Sequence, residues 1–428
     1  MSLILMEIHE GQIVRNLLEN QFLDRMLAQG AEVGIITPAA RVSSLVSRYE
    51  GNSIRFYDLG LLDGTALAAW ENYELALGKF LARSGYPGLR RSIWSRLIEP
   101  VVARRAKREQ AFMKKLRPNV VVCTHVSQGY GRGLIATANQ MGIPTIGNLN
   151  SWDNAWKGLR VRPRLVTCWS ENNKEEICQK EAYLPEQVEV IGAPAFDAYC
   201  VQDGQWSRSE LCARLGINPE RPILLFATLG QFKQQIDETN PLEVLLRAID
   251  AGVIPENSQV IVRLHPWSRE TYFKSLLEHP AVNVSRYESY IPGLGWAPTR
   301  AEAILAGNLM RHADVVISPG STMSIEPSIF DTPTVVPVFN EYMPEVYEKY
   351  FRETWLNQHF GRIYQHDWLP IARSGEEMIT AIKHALADRA WYGEGRSHIR
   401  HEILGPLDGK ATERFAGRIL QLAARETA

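Results

Sequence analysis
The segment Ile317-Ser-Pro-Gly-Ser-Thr-Met-Ser-Ile-Glu-Pro-Ser-Ile-Phe-Asp-Thr-Pro333 has the residue types needed to hold a phosphate. Ala313 to Ser318 read as a buried strand. Gly320, Ser321 and Thr322 then let the backbone approach an anion while offering N–H and hydroxyl donors at the start of a helix. Glu326 falls within the first two turns of that helix, within reach of ribose hydroxyls. The alternative is an ordinary strand–turn–helix connection capped by Ser321 or Thr322. A second cluster, Val260-Ile-Val-Arg-Leu-His-Pro266, sets Arg263 and His265 two apart, on one side of a hydrophobic strand, where a basic pair suits a diphosphate. An Arg bound to a structural carboxylate beside a core-edge histidine is the competing account. Thr228-Leu-Gly-Gln231 ends another strand in a glycine turn, and Gly230 there could admit a phosphate or a base.

Activation of a hydroxyl needs a general base, and a histidine or carboxylate at a strand tip is well placed and tunable by burial. Four residues qualify: His9 and Glu10 after the first strand, His125 after Val120 to Thr124, and Asp153 in Asn150-Ser-Trp-Asp-Asn154. Each has a structural alternative, such as a backbone-bonded loop histidine, a cap, or an Asx-turn. The four remain open at this point.

Other chemistries are excluded on spacing. Gly129-Tyr-Gly-Arg-Gly133 is G-x-G-x-G with no suitably placed acid after an adjacent strand, which argues against a dinucleotide cofactor. GxxxxGK[ST], G-x-S-x-G and zinc-type His/Cys spacing do not occur, so neither a cofactor nor a metal is expected. The five cysteines are odd in number and scattered, which predicts reduced thiols. No run approaches the roughly 20 apolar residues of a membrane span. The opening Met-Ser-Leu-Ile-Leu-Met-Glu-Ile-His reads as a first strand rather than a signal, and a cytoplasmic protein is expected.

The elements positioning these residues alternate strand and helix. At 428 residues, two to three domains are expected. Strands fit Leu3–Ile8, Glu32–Thr37, Val120–Thr124, Ile143–Asn148, Leu165–Ser170 and Val188–Gly192. Helices fit 13–27 and 133–141. The pattern restarts at Pro222–Thr228 and continues through Gln259–His265, Asn283–Arg286, Asp314–Ser318 and Thr334–Val338, with a helix over 241–251. Residues 1–202 and 203–400 therefore read as two Rossmann-like, doubly wound parallel-sheet domains facing a cleft, hinged near 203–209, with 401–428 a closing helix.

Charge is uneven. Between Arg83 and Arg117 there are eleven Arg or Lys against two Glu, in a chain of net charge −1. Ile93, Trp94, Leu97, Ile98, Val101, Val102 and Phe112 are interleaved with them. This fits an amphipathic helix on an anionic membrane surface or against an anionic acceptor, with a solvated helix packed by its apolar stripe as the alternative. Nucleic acid is not an expected partner.

Together, Arg263-Leu-His-Pro266, Ser318-Pro-Gly-Ser-Thr322 with Glu326, Ile191-Gly-Ala-Pro-Ala-Phe-Asp197, Ser151-Trp-Asp-Asn154 with Lys157-Gly158, and Asp408-Gly-Lys-Ala-Thr-Glu-Arg414 resemble bacterial surface-polysaccharide glycosyltransferases. The likeness extends to the glycerophosphotransferases that use CDP-glycerol. It covers most of residues 119–420. It implies a GT-B fold with donor nucleotide on the C-terminal domain and acceptor on the N-terminal one. His265 would contact phosphate, Gly320 to Thr322 would form the phosphate loop, and Glu326 would face the ribose. Pro319 and Pro327 depart from the pattern. The expected activity is an inverting, metal-independent transfer from a nucleotide-sugar to a hydroxyl of a glycan or lipid-linked acceptor. The leaving diphosphate would be stabilised by a helix N-terminus and basic side chains, on the inner face of the cell membrane. The alternatives are a CDP-glycerol glycerophosphotransferase, a non-hydrolysing sugar-nucleotide epimerase, and a catalytically idle nucleotide- or glycan-binding subunit.

Overall fold
The computed structural model describes residues 2–49, 51, 53–60, 92–230, 237–356 and 359–424. Residues 83–91 of the basic segment and Gln231 lie outside the described residues. The chain divides into two compact units. Unit one comprises Met1–Asp197, Ser289–Arg300 and Glu402–Ala428, and unit two comprises Ala198–Glu288 and Ala301–His401.

Unit one is built on seven strands: β1 (Leu3–Glu7), β2 (Glu32–Ile36), β3 (Ile54–Tyr57), β4 (Val120–Cys123), β5 (Thr145–Asn148), β6 (Leu165–Cys168) and β7 (Val188–Val190). They lie in the order β3-β2-β1-β4-β5-β6-β7, and every pair is parallel. Their near-continuous apolar runs follow from burial on both faces. Ile4, Met6, Val120 and Val122 enter one core, while Leu5, Val121 and Cys123 enter the other. The helix expected over 13–27 is interrupted. Gly11–Ile13 runs into a π-helical turn, Val14–Leu18, and Gln21 takes φ 62° before Phe22–Ala28 resumes. Asn20 holds the break by donating to Asn16 O (3.2 Å) and Pro194 O (2.6 Å).

Unit two contains β8 (Ile223–Ala227), β9 (Gln259–Arg263) and β10 (Val282–Ser285). The next segment, an antiparallel hairpin of β11 (Tyr290–Ile291) and β12 (Gly295–Trp296), belongs to unit one, where Leu294 O accepts the Gly11 N–H at 3.0 Å. A side chain at Gly11 would strike Trp296 O, since a Cβ there would lie 2.2 Å away. β13 (Val315–Ile317), β14 (Thr334–Pro337) and β15 (Ile371–Ala372) complete the second sheet, whose all-parallel order is β10-β9-β8-β13-β14-β15.

The helix Ala411–Ala424 packs on the first sheet of unit one, with Phe415, Ala416 and Ile419 in the core beside Phe22. Asp197 caps it, accepting from Ala411 N (3.0 Å) and Thr412 N (2.7 Å), while Arg414 binds Asp408 and Ile191 O. Two of the segments that carried the family resemblance thus serve to anchor each other.

The basic segment is not one helix. A π-helical turn, Trp94–Ile98, leads into Glu99–Arg105, and a break at Ala106 precedes Lys107–Leu116. Its apolar side is largely consumed internally. Val102, Ala103 and Met113 are buried, Phe112 meets Tyr57 edge-on, and Trp94 lies beside the guanidinium groups of Arg132 and Arg162. Leu97 (63% exposed) and Val101 (44%) remain outward among the cationic side chains. Among the described residues no helix is long and apolar enough to cross a membrane.

Candidate functional site
In each sheet the strand order reverses at one place, and ligands of open parallel sheets bind beyond the strand ends there. In unit one this place is between β1 and β4, and in unit two between β8 and β13. Most of the expected residues stand at these two positions.

At the β1/β4 position, Glu10 Oε2 lies 3.2 Å from His125 Nδ1. The opposite nitrogen of His125, Nε2, has no hydrogen-bond partner among the described residues. His9 is 8% exposed, stacks on Tyr130 (4.8 Å between ring centroids) and places Nε2 3.6 Å from Glu7 Oε2. Burial pushes the His9 imidazole down to about 4, against a smaller opposing pull from Glu10, so the ring is neutral near pH 7. Burial likewise pushes Glu7 up to about 8, despite the hydrogen bonds it accepts from the Thr124 N–H (2.8 Å) and hydroxyl (3.3 Å). A protonated carboxyl therefore stands beside a neutral imidazole. Glu7 ends the hydrophobic run Leu-Ile-Leu-Met-Glu, and an acid at the tip of a buried strand is the one local signal that marks it.

The fourth base candidate, Asp153, sits after β5, with its carboxylate 2.5 Å from Lys157 Nζ and in contact with Asn154 Nδ2 (3.4 Å). It is 7% exposed and engaged in an ion pair, whereas His9, Glu10 and His125 gather at β1/β4.

At the β8/β13 position, the Ser318–Thr322 segment forms a compact turn. Ser324 Oγ donates to Ser318 O and accepts from Gly320 N, both at 3.1 Å; Ser321 Oγ accepts from Met323 N (3.1 Å) and lies 3.1 Å from Ser318 Oγ. Gly320 has φ +103°. The Ser321 and Thr322 N–H groups have no partner among the described residues. The expected α-helix after the turn is absent. Thr322–Ser324 and Glu326–Phe330 are 3₁₀ segments, because Pro327 lacks the N–H and its ring would clash with the carbonyl of the preceding turn. The turn offers individual N–H and hydroxyl groups, not a helix end with its summed dipole. Glu326 is half-buried, and its Oε2 accepts from Tyr199 OH at 3.0 Å.

The expected Arg263–His265 pair separates. β9 ends at Arg263, so strand alternation no longer governs residue 265. Arg263 is buried, donates to Ser285 Oγ (2.6 Å) and Arg286 O (3.1 Å), and lies 3.5 Å over the Tyr287 ring. His265 instead packs on Gly230, whose φ is +77° and whose Cβ, if present, would lie 2.4 Å from the His265 Nδ1. The Trp267 N–H donates to that Nδ1 (3.2 Å), which leaves the ring proton on Nε2. Burial pushes His265 down to about 4, so it offers a neutral N–H donor and no positive charge. Buried Glu238 accepts from the N–H groups of Leu229 and Gly230, and burial pushes it up to about 7. Nothing in its local sequence, Asp-Glu-Thr, marked it.

A cavity of about 1180 Å³ in unit two lies elsewhere, lined by Asn340, Lys349, Arg352 and Arg373 among others. Its cations pair with carboxylates of the same lining: Glu348 with both Arg352 and Arg373, and Lys349 with Glu353.

No protein-family model and no curated protein matches this chain. Solved structures do. The S. aureus MnaA–UDP co-structure has TM-score 0.58 at 13% identity, covering 99% of this chain and 98% of its own. The Neisseria meningitidis UDP-GlcNAc 2-epimerase bound to UDP-GlcNAc has TM-score 0.58 at 10% identity, covering 98% and 100%. A His-to-Asn variant of the wall teichoic acid polymerase TagF with CDPG has TM-score 0.55 at 9% identity, covering 100% and 89%. With both sheets described above, these likenesses establish the fold class as GT-B-like, with two Rossmann-like parallel-sheet domains.

Proposed function
We propose that this protein is a transferase that moves a group from a nucleotide-activated donor, a nucleotide-sugar, to a hydroxyl acceptor in cell-surface polysaccharide synthesis, with His125 as general base. The carrying observation is the Glu10–His125 contact at the β1/β4 position. A carboxylate on Nδ1 fixes the tautomer that leaves Nε2 able to take a proton from an attacking hydroxyl, the logic by which an acid orients a catalytic imidazole. The donor diphosphate sits on the Gly320–Thr322 turn with His265 as neutral donor, and Glu326 faces the ribose. The fold neighbours, solved with UDP, UDP-GlcNAc or CDPG, support a nucleotide-linked donor. Transfer then proceeds by proton removal at the acceptor oxygen while turn N–H groups stabilise charge developing on the leaving diphosphate.

A second reading, sugar-nucleotide epimerisation, has its own observation in the Glu7–His9 pair, a proton donor beside a proton acceptor. The test incubates the protein with UDP-, GDP-, CMP- and CDP-linked donors in D₂O, with and without a glycan acceptor, and follows them by NMR. Transfer predicts donor loss only with acceptor and no deuterium in the recovered sugar. Deuterium uptake into the sugar ring without acceptor establishes epimerisation instead. Binding with neither outcome leaves an idle nucleotide-binding subunit.

A further inference from the structure
The helix Pro344–Phe351 ends in a π-helical turn, Arg352–Leu356, a departure that concentrates at functional positions. It delivers two aromatic residues to the Ser318–Thr322 turn. Tyr350 OH donates to Pro319 O at 2.9 Å. Trp355 is 0% exposed, lies against Phe360 (ring centroids 4.3 Å apart), and brings its indole to Gly320. A Cβ on Gly320 would stand 2.9 Å from Tyr350 Oη, 3.0 Å from Trp355 Cζ2 and 3.1 Å from Trp355 Nε1. Trp355 Nε1 has no hydrogen-bond partner among the described residues. A buried indole N–H is usually paired, and leaving one unpaired is destabilising. At Gly320 no side chain separates that N–H from the turn.

We propose that Trp355 is a ligand-binding residue whose Nε1–H donates to an oxygen of the phosphate or diphosphate held by the Gly320–Thr322 turn. This rests on the reading of that turn as the donor phosphate site. The glycine serves two ends: its φ of +103° shapes the turn, and its missing side chain lets the turn lie directly against the indole. Tyr350, already committed to Pro319 O, holds the turn in register with the indole. The protein thereby keeps an unsatisfied donor in its core for use by the ligand.

Titration calorimetry on the full chain with inorganic pyrophosphate and with UDP and CDP, together with melting temperatures measured without ligand, tests this. Trp355→Phe keeps an aromatic side chain there and removes the donor. It is expected to melt at or above the wild-type temperature and to bind pyrophosphate and nucleotide about tenfold more weakly, the effect of one charge-assisted hydrogen bond. Gly320→Ala is expected to abolish both. In the wild type, ¹⁵N-labelled tryptophan should show one slowly exchanging indole N–H that moves downfield with pyrophosphate, a readout that holds even if Trp355→Phe fails to fold. Wild-type affinity in Trp355→Phe, or no indole shift on saturation, overturns the role of Trp355. Wild-type affinity in Gly320→Ala overturns the phosphate reading of the turn itself, whatever Trp355→Phe does.

Discussion

Glu10 and His125 touch through Oε2 and Nδ1 at 3.2 Å although 115 positions separate them, because β1 and β4 are parallel neighbours that end side by side. If this pair activates the acceptor, His125→Asn lowers kcat about a hundredfold or more with little change in donor affinity. Glu10→Gln keeps the hydrogen bond but not the charge and lowers kcat about tenfold. Asp153→Asn, losing an ion pair with Lys157, leaves kcat within a few-fold. Steady-state kinetics with whichever donor of the panel is turned over checks all three. Normal turnover in His125→Asn removes it as the base.

Glu7 links stability to pH. Its carboxyl is raised from 4.5 to about 8 by burial, so the folded state holds a proton that the unfolded chain releases above pH 4.5. Its contribution is full below the unfolded value and is lost as pH rises through about 8. Glu7→Gln mimics the protonated form, so the variant should gain on the wild type between pH 5 and 9. The gain is on the order of 2–4 kcal/mol at the alkaline end, the scale of a shift of a few pH units. Denaturant melts across that range measure it, and parallel curves for the two proteins refute it. His9, lowered to about 4, has the opposite sign: its contribution is present above 6.5 and falls as pH drops through 4.

Glu326→Ala should weaken nucleotide binding by about 1.5–3 kcal/mol, the value of a charged hydrogen bond, while leaving pyrophosphate binding unchanged. Equal losses for both ligands would place Glu326 at the phosphate instead of the ribose.

Gly230→Ala should weaken both ligands, because the new methyl displaces the His265 ring and the backbone there has φ +77°. Unchanged calorimetric affinity separates His265 from the donor.

The outward face of 92–117 carries Arg104, Arg105, Lys107 and Arg108 with Leu97 and Val101. On anionic vesicles each basic residue near the surface contributes about 1 kcal/mol. Co-sedimentation of the wild type should therefore fall with salt, and replacing Arg90, Arg91, Arg104 and Arg105 by Gln should reduce it. Equal pelleting of both proteins, or none, leaves this face as a solvated helix surface.

The sequence by itself determined the alternating β and α pattern and hence the two parallel-sheet folds, because strand and helix periodicities are local consequences of where each side chain points. It also located the strand tips, and so His9, Glu10, His125, Gly230 and Gly320. Tertiary structure decided which of these meet. Strand order pairs β1 with β4, a choice made by long-range packing, and only that order joins Glu10 to His125. Burial then set the protonation of Glu7, His9 and His265, which no local pattern encodes. The short hairpin at 290–296 and the strand Ile54–Tyr57 lacked a periodic signal, being too brief or too mixed to stand out. The 3₁₀ path after Gly320 was in part legible from Pro327. The indole of Trp355 beneath it was not, since it stands 35 positions on, in a π-helical turn that brings the chain back to that glycine.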